Sequence, residues 1–430
     1  MRIHVVGLGA VGSFVAFHLR RTLSPKHSVI ALHRKSSAPA ISQNPNGPSI
    51  LLTSDGVIAT QDGVEHAVYH TSPSPDRHLI AAPPLATHGQ SRGDHPLELN
   101  RPWDPHELRS LHGPIDSLII ATKAHAVTWA LTALRNHITR DSTIVLLHNG
   151  MGVYENVVEK LFPVPADRPN FVFASNTHGL WRKDTMHAVH AGVGEIQLGI
   201  VPDPLGRDYE AVLTGSRHAA FTDLRLDDIA DLSDEKTMSP RYVTLRNTIS
   251  ALTSARALGA SWRPFHETQI AIQRKLVVNA FVNPVSALLQ CRNGKVLASD
   301  HGRWVMKRLC EEAQTLYEAD FEASVAEQRR AHEIQAGSER LPPFIAPPFP
   351  PSLKKFALCA EVERVVEQTK YNYSSMYRDV QLGNKTEIDY INGYLLRIAR
   401  KYRINALVNE SLFHLINMRS SIPLVKKAGR

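Results

Sequence analysis

Residues 1–37 run MRIHVVGLGAVGSFVAFHLRRTLSPKHSVIALHRKSS, and this stretch decides the fold. The segment 3–8 is apolar and β-branched, which predicts a buried strand. From Ala10 to Leu23, the apolar residues Val11, Phe14, Val15 and Leu19 recur at helical spacing. A second apolar strand is predicted over 28–32. Strand, helix and strand form one βαβ unit, which requires parallel strands and a right-handed crossover. Gly7-x-Gly9-x-x-Gly12 falls between the first strand and the helix, where a dinucleotide-binding turn belongs. Gly7 allows the tight turn, Gly9 lets the backbone approach a pyrophosphate, and Gly12 permits close helix–strand packing. Leu8, Ala10 and Val11 complete the loop, and the helix start offers unpaired N–H groups to phosphates.

At the end of the second strand, a protein selective for NAD carries Asp or Glu for the ribose hydroxyls. This chain has His33-Arg34-Lys35 instead. Cations here suit a 2′-phosphate and favour NADP(H). Ordinary surface cations remain the alternative reading of the same letters.

The 430 residues suffice for two or three domains, and 43% hydrophobic with 21% charged residues is ordinary for a globular protein. No apolar run is long enough for a membrane span. Three cysteines, Cys291, Cys310 and Cys359, cannot build a disulfide framework and read as reduced thiols. The strand pattern begins at residue 3 and leaves no room for a leader, which favours the cytoplasm. The formal charge of +8 is scattered and decides nothing about partners.

Further along, 49–53 and 57–60 form a predicted hairpin around Asp55-Gly56. The stretch 66–114 reads as an insert whose histidines at 70, 78, 88, 95, 106 and 112 match no metal-ligand spacing, so no metal is expected. Strands are predicted at 117–121, 143–147, 171–175 and 195–200, with a helix over 126–137. A second insert covers 202–241. Helices then dominate, at 244–257, 267–282, 303–318, 358–367 and 387–402, with a third insert near 321–356. An α/β first half (1–264) and an all-helical second half (265–430) imply two domains with a cleft between them.

The helix around 267–283 carries the sharpest chemical signal. Lys275, Asn279 and Asn283 are spaced i, i+4, i+8 and share one face. The remaining faces hold Ile270, Ile272, Leu276, Val277, Val278, Ala280, Phe281 and Val282, so the helix should be largely buried. Its polar stripe must find partners or line a wet cavity. A snorkelling lysine with capping asparagines would satisfy the spacing. Ketone reduction by hydride gives a stronger reason, because a partly desolvated lysine has a lowered pKa suited to protonating an alkoxide. A second cluster runs from Asn372 through Ser374-Ser375-Met376 to Asn384-Lys385-Thr386-Glu387-Ile388-Asp389. Thr386-x-x-Asp389 predicts a capping box, with Glu387 in the first turn of the last long helix.

Together these elements resemble the ketopantoate reductase (2-dehydropantoate 2-reductase) family. The matching elements are Gly-Leu-Gly-Ala-Val-Gly at 7–12, His33-Arg34-Lys35, Thr122-Lys123-Ala124 and His148-Asn149-Gly150-Met151-Gly152. They continue with His190-Ala191-Gly192-Val193-Gly194, Arg274-Lys275 to Asn283-Pro284, Asn293-Gly294, and Ser374-Ser375-Met376 to Asn392-Gly393. The resemblance implies an N-terminal Rossmann-type α/β domain with a parallel sheet and an all-α C-terminal domain. It implies NADPH-dependent reduction of 2-dehydropantoate to pantoate, in pantothenate biosynthesis. Lys275 would be the general acid, and Glu387 would orient the site and hydrogen-bond the substrate's hydroxyl. Asn279, Asn283, Asn372 and Ser375 would hold the substrate's hydroxyl and carboxylate. Lys123 and Asn149 would lie where cofactor meets substrate, and Arg34 would contact the 2′-phosphate. Two other readings stay open: a reductase of the same fold acting on another 2-oxo acid, and a non-catalytic NADP-binding regulatory or RNA-binding protein. No nucleic-acid or membrane partner is expected, and a homodimer stays open.

Overall fold

The structure is a computed structural model that describes residues 1–37, 41, 44, 46–69, 109–207, 209–210, 226, 229, 239–336 and 343–422. The histidines at 70, 78, 88, 95 and 106 lie outside these residues, as does much of the stretches 70–108 and 211–238. Two compact units are formed. One comprises Met1–Thr122, Ala126–Leu147 and Val157–Arg263; the other comprises Lys123–His125, His148–Asn156 and Pro264–Arg430.

The first unit is built on the opening βαβ. Strand β1 (Arg2–Val6) pairs in parallel with β2 (Ser28–Arg34), and α1 (Ala10–Thr22) forms the crossover. On its other side β1 pairs in parallel with β7 (Ile115–Ile120), which pairs with β8 (Ile138–Leu146). The nine-stranded sheet also takes in β5 (Glu65–Tyr69), β6 (Arg109–Ser110), β9 (Asn170–Asn176), β12 (Ile196–Ile200) and β13 (Ala260–Trp262), in the order β13-β12-β9-β8-β7-β1-β2-β5-β6. Every pairing in it is parallel except that of β12 with β9. Strands buried on both faces need continuous apolar runs, which explains why 3–6 and 117–120 do not alternate with polar residues. Helix α1 also lies against a four-stranded sheet ordered β10-β11-β3-β4, where β3 is Ile50–Ser54, β4 Val57–Gln61, β10 Gly179–Asp184 and β11 His187–Gly192. Phe14 of α1 is wholly buried and touches the rings of His178 and His190.

The predicted hairpin is β3–β4, and Asp55 and Gly56 at its turn both have positive φ. His66, read as the start of an insert, instead sits in strand β5. Its Nδ1 bonds His33 Nε2 at 2.8 Å and its Nε2 bonds the Pro48 carbonyl at 2.8 Å. That buried polar chain hides the alternation a strand would show.

The second unit is helical, with its core centred on α5 (Phe265–Leu289). Helices α2 (Ala124–Leu134), α3 (Val153–Leu161) and α4 (Pro240–Ser254) precede it in the chain. After it come α6 (Asp300–Ala336), α7 (Lys355–Gln368), α8 (Ser375–Leu382), α9 (Asn392–Tyr402) and α10 (Leu407–Ser421). Pro284 lies inside α5 and cannot supply the N–H that Ala280 O would normally receive. The buried Asn392 amide supplies it from α9, donating to Ala280 O at 3.0 Å and to Asn409 Oδ1 at 3.1 Å. Helix α6 runs well past the predicted end at 318, into the stretch read as an insert. Its apolar periodicity fades there, but Ala, Glu, Gln and Arg keep helix propensity high. The proline-rich return packs Phe349 on Phe321, and Phe344 beneath Arg329.

The predicted capping box does not form. Residues Ile388–Tyr390 make a 3-10 turn, no side chain caps it, and α9 starts only at Asn392. Tyr390 O accepts from Met151 N at 2.8 Å, and Tyr394 N turns to Ile391 O instead, so the chain leaves α register. Helices α3, α8 and α10 are three that the sequence reading did not anticipate.

Candidate active site

In the first unit the three glycines play separate roles. Gly7 has φ +91°, and a Cβ on it would stand 2.6 Å from Thr122 N. A Cβ on Gly12 would lie 2.2 Å from Gly7 O, so glycine is required for α1 to seat against the turn. A Cβ on Gly9 would meet nothing within 4 Å. Gly9 is therefore not a packing glycine, and the space above it fits a ligand that approaches the backbone. Leu8 and Val11 lean on the core, and Ala10 opens α1. At the end of β2 the Arg34 guanidinium lies 4.3 Å over the Trp129 ring and hydrogen-bonds Tyr69. Stacking on that ring fixes the guanidinium beside the end of β2. These residues fit a dinucleotide.

In the second unit Lys275 bonds the Asn149 amide, and Lys123 bonds two carboxylates, Glu387 and Asp379. Lys275, from the middle of α5, donates from Nζ to Asn149 Oδ1 at 3.1 Å. Burial lowers its pKa from the usual 10.5 to about 8, and the nearby Glu387 carboxylate limits the drop. Glu387 is 4% exposed. Its Oε1 accepts from the Ala124 backbone N at 2.9 Å, and its Oε2 lies 3.5 Å from Lys123 Nζ. Lys123 Nζ also reaches Asp379 Oδ2 at 2.8 Å. Burial opposes the charge on Lys123, but Glu387 and Asp379 outweigh it and raise the pKa. Burial pushes Asp379 up, with Lys123 pulling back. Two lysines and two carboxylates balance in charge, which limits the cost of burying Glu387 and Asp379.

Gly150 and Gly152 explain how Asn149 is aimed. Both have positive φ, and a Cβ on Gly150 would stand 2.6 Å from Tyr390 O. The loop can therefore lie flat on the 3-10 turn beside Glu387, pinned by the Met151 N to Tyr390 O bond.

The sequence-predicted residues are thus brought together unequally. Lys275 bonds Asn149 and Lys123 bonds Glu387, and Glu387 lies near enough to Lys275 to act on its charge. Asn279 and Asn283 continue the Lys275 face of α5, with Asn283 buried. Asn372 is exposed, and its carbonyl accepts from Asn293 N at 2.9 Å. Ser375 is the exposed first residue of α8, while Ser374 caps that helix and receives a bond from Ser286 Oγ at 2.7 Å. Sequence reasoning missed Asp379 and His148. Asp379 lies four residues after Ser375, one helical turn on, which was the available signal. His148 precedes Asn149 and donates from Nδ1 to the Asn149 carbonyl at 3.0 Å.

Comparisons with known proteins follow this geometry. Family models described as "Ketopantoate reductase PanE/ApbA" and "Ketopantoate reductase PanE/ApbA C terminal" match residues 3–203 and 268–420. A 2-dehydropantoate 2-reductase of Vibrio cholerae is 28% identical over 301 residues, 70% of this chain and 76% of that protein. A probable 2-dehydropantoate 2-reductase of Schizosaccharomyces pombe is 23% identical over 425 residues, 97% of this chain and 96% of its own. Among solved structures, D-mandelate dehydrogenase with NADH and anilino(oxo)acetate shares the fold at TM-score 0.61 and 16% identity, covering 98% of both chains. The two family models take in both the glycine turn and the lysine–glutamate cluster, and the chain belongs to the ketopantoate reductase family.

Proposed function

We propose that this chain reduces 2-dehydropantoate to pantoate with NADPH, with Lys275 as the general acid. The observation that carries the reading is a partly buried lysine with its pKa lowered to about 8, held by Asn149 beside Glu387. Such an ammonium is charged at neutral pH yet gives up its proton readily.

A dinucleotide held by the Gly7–Gly12 turn and Arg34 would supply the hydride for C2 of the oxo acid. As charge develops on the carbonyl oxygen, Lys275 Nζ delivers the proton that completes the alcohol. Asn149 restricts the rotation of that ammonium. Glu387 keeps Lys275 protonated at rest, and is itself fixed by Ala124 N and Lys123. Asn279 and Asn283 on the same face, with Asn372 and Ser375, bind the carboxylate and hydroxyl of the acid. Arg34 takes the 2′-phosphate, with residues 1–264 as the dinucleotide domain and 265–430 as the catalytic domain.

The direct test is NADPH oxidation by the purified protein, with 2-dehydropantoate added and withheld. A panel of other 2-oxo acids checks the substrate, since a higher kcat/KM for a different acid would displace 2-dehydropantoate from the reading. Arg34→Asp should lower NADPH affinity and shift preference toward NADH. Unchanged NADPH affinity in that variant would refute the 2′-phosphate role.

A further inference from the structure

His148 takes no part in the proton transfer above, yet it stands in the same cluster. Its Nδ1 lies 3.0 Å from the carbonyl oxygen of Asn149. A carbonyl only accepts, so Nδ1 carries the proton. Burial lowers the ring's pKa and outweighs the Asn149 bond and Glu387, which raise it, with Lys275 adding to the lowering; in the neutral ring the other nitrogen, Nε2, is a lone-pair acceptor. That Nε2 is covered from solvent and has no donor among the described residues. A covered acceptor without a donor is an arrangement that folded proteins seldom keep.

The geometry points to His148 Nε2 as an acceptor for a ligand hydroxyl, either a ribose O–H of the dinucleotide or the O–H of a hydroxyl-bearing oxo acid. This inference rests on the reductase reading. A lone pair repels carboxylate and phosphate oxygens, so the group it receives must be a donor. A neutral ring accepts without adding a positive charge beside Lys275. The backbone bond fixes the tautomer, so the ring presents the same acceptor before and after a hydroxyl binds. The neighbouring residue is Asn149, whose amide holds the Lys275 ammonium.

Two variants separate the ring's two nitrogens. His148→Asn keeps an N–H for the Asn149 carbonyl and removes the acceptor. His148→Gln places an amide oxygen where Nε2 stands. Each protein is titrated with NADPH by fluorescence to give Kd. Each is then assayed with 2-dehydropantoate and with 3,3-dimethyl-2-oxobutanoate, the same acid without its hydroxyl. We expect His148→Asn to lose about tenfold on one arm, with His148→Gln recovering part of it. A rise in NADPH Kd identifies the ribose. A loss confined to the hydroxyl-bearing acid identifies the substrate. The inference is overturned if neither arm moves, or if both acids suffer alike while NADPH Kd is unchanged. Wild-type protein that turns over neither acid refutes the reductase reading instead, and the NADPH Kd then judges His148 alone.

Discussion

Lys275 and Asn149 meet at 3.1 Å although 126 residues separate them in sequence. The bond joins the middle of a largely buried helix to a glycine-rich loop, and in the proposed mechanism it holds the proton donor. With its pKa lowered from 10.5 to about 8, Lys275 is protonated below that value and neutral above it. Reductive kcat/KM should therefore be flat near pH 7 and fall as pH rises through about 8. Lys275→Ala should lower kcat by at least ~100-fold, the lower range for losing a general acid. Asn149→Asp should place a second anion against the ammonium, raise its pKa and move the alkaline limb upward. A pH–rate profile of the three proteins checks this, and an alkaline limb unmoved in Asn149→Asp would remove Asn149 from the account.

The glycine turn makes a separate prediction about folding and binding. Gly12→Ala drives a Cβ to 2.2 Å from Gly7 O, against backbone that cannot step aside. Overpacking of this kind costs about 1–3 kcal/mol, and Tm should fall by several degrees. Gly9→Ala meets nothing within 4 Å. That variant should melt like wild type and bind NADPH more weakly. Calorimetry and NADPH titration on both variants distinguish the roles, and normal NADPH binding by Gly9→Ala would show that no ligand approaches there.

A third prediction concerns the proline inside α5. Asn392 donates to Ala280 O at 3.0 Å, in place of the N–H that Pro284 lacks. Asn392→Leu should leave a buried carbonyl unpaired, at a cost of about 1–3 kcal/mol. With Pro284→Ala already present, the helix N–H is restored and the same substitution should cost less. A double-mutant cycle measured by denaturant unfolding reads the coupling, and simple additivity would disprove the compensation.

How much was legible follows from the kind of signal each residue left. The βαβ unit was readable because glycine spacing and apolar runs are local, and the structure returns them as β1, α1 and β2. The Lys275 face was readable because three polar residues at helical spacing stand out on an apolar helix. Asp379 was not, since an acid in a short helix resembles any solvated residue until Lys123 is placed 2.8 Å away. The break at Ile391 was hidden for a related reason. Thr386-x-x-Asp389 has capping letters, but the carbonyl of Tyr390 is claimed by Met151, more than two hundred residues earlier. Long-range partners decided each miss, and a single chain read in order does not display them.

Acid stability gives the last prediction. Burial and the neighbouring His66 lower the pKa of His33 to about 3, and burial lowers that of His66 to about 4. His4 in β1 and His18 in α1 are likewise lowered to about 4, burial being the main cause in each. All four are neutral when folded, whereas the unfolded chain takes up protons below about 6.5. The unfolded state then binds more protons than the folded one, so stability drops as pH falls from 6.5 toward 4. Above pH 7 these groups contribute no slope. Tm should be level between pH 7 and 8 and decline steadily below 6.5. His66→Gln keeps a donor for the Pro48 carbonyl but no longer titrates, so its decline should be shallower than wild type even if its Tm at pH 7.5 is lower. Parallel melting curves from pH 7.5 to 4.5 decide the point. An equal slope in both proteins would mean that the His33–His66 pair does not drive the acid sensitivity.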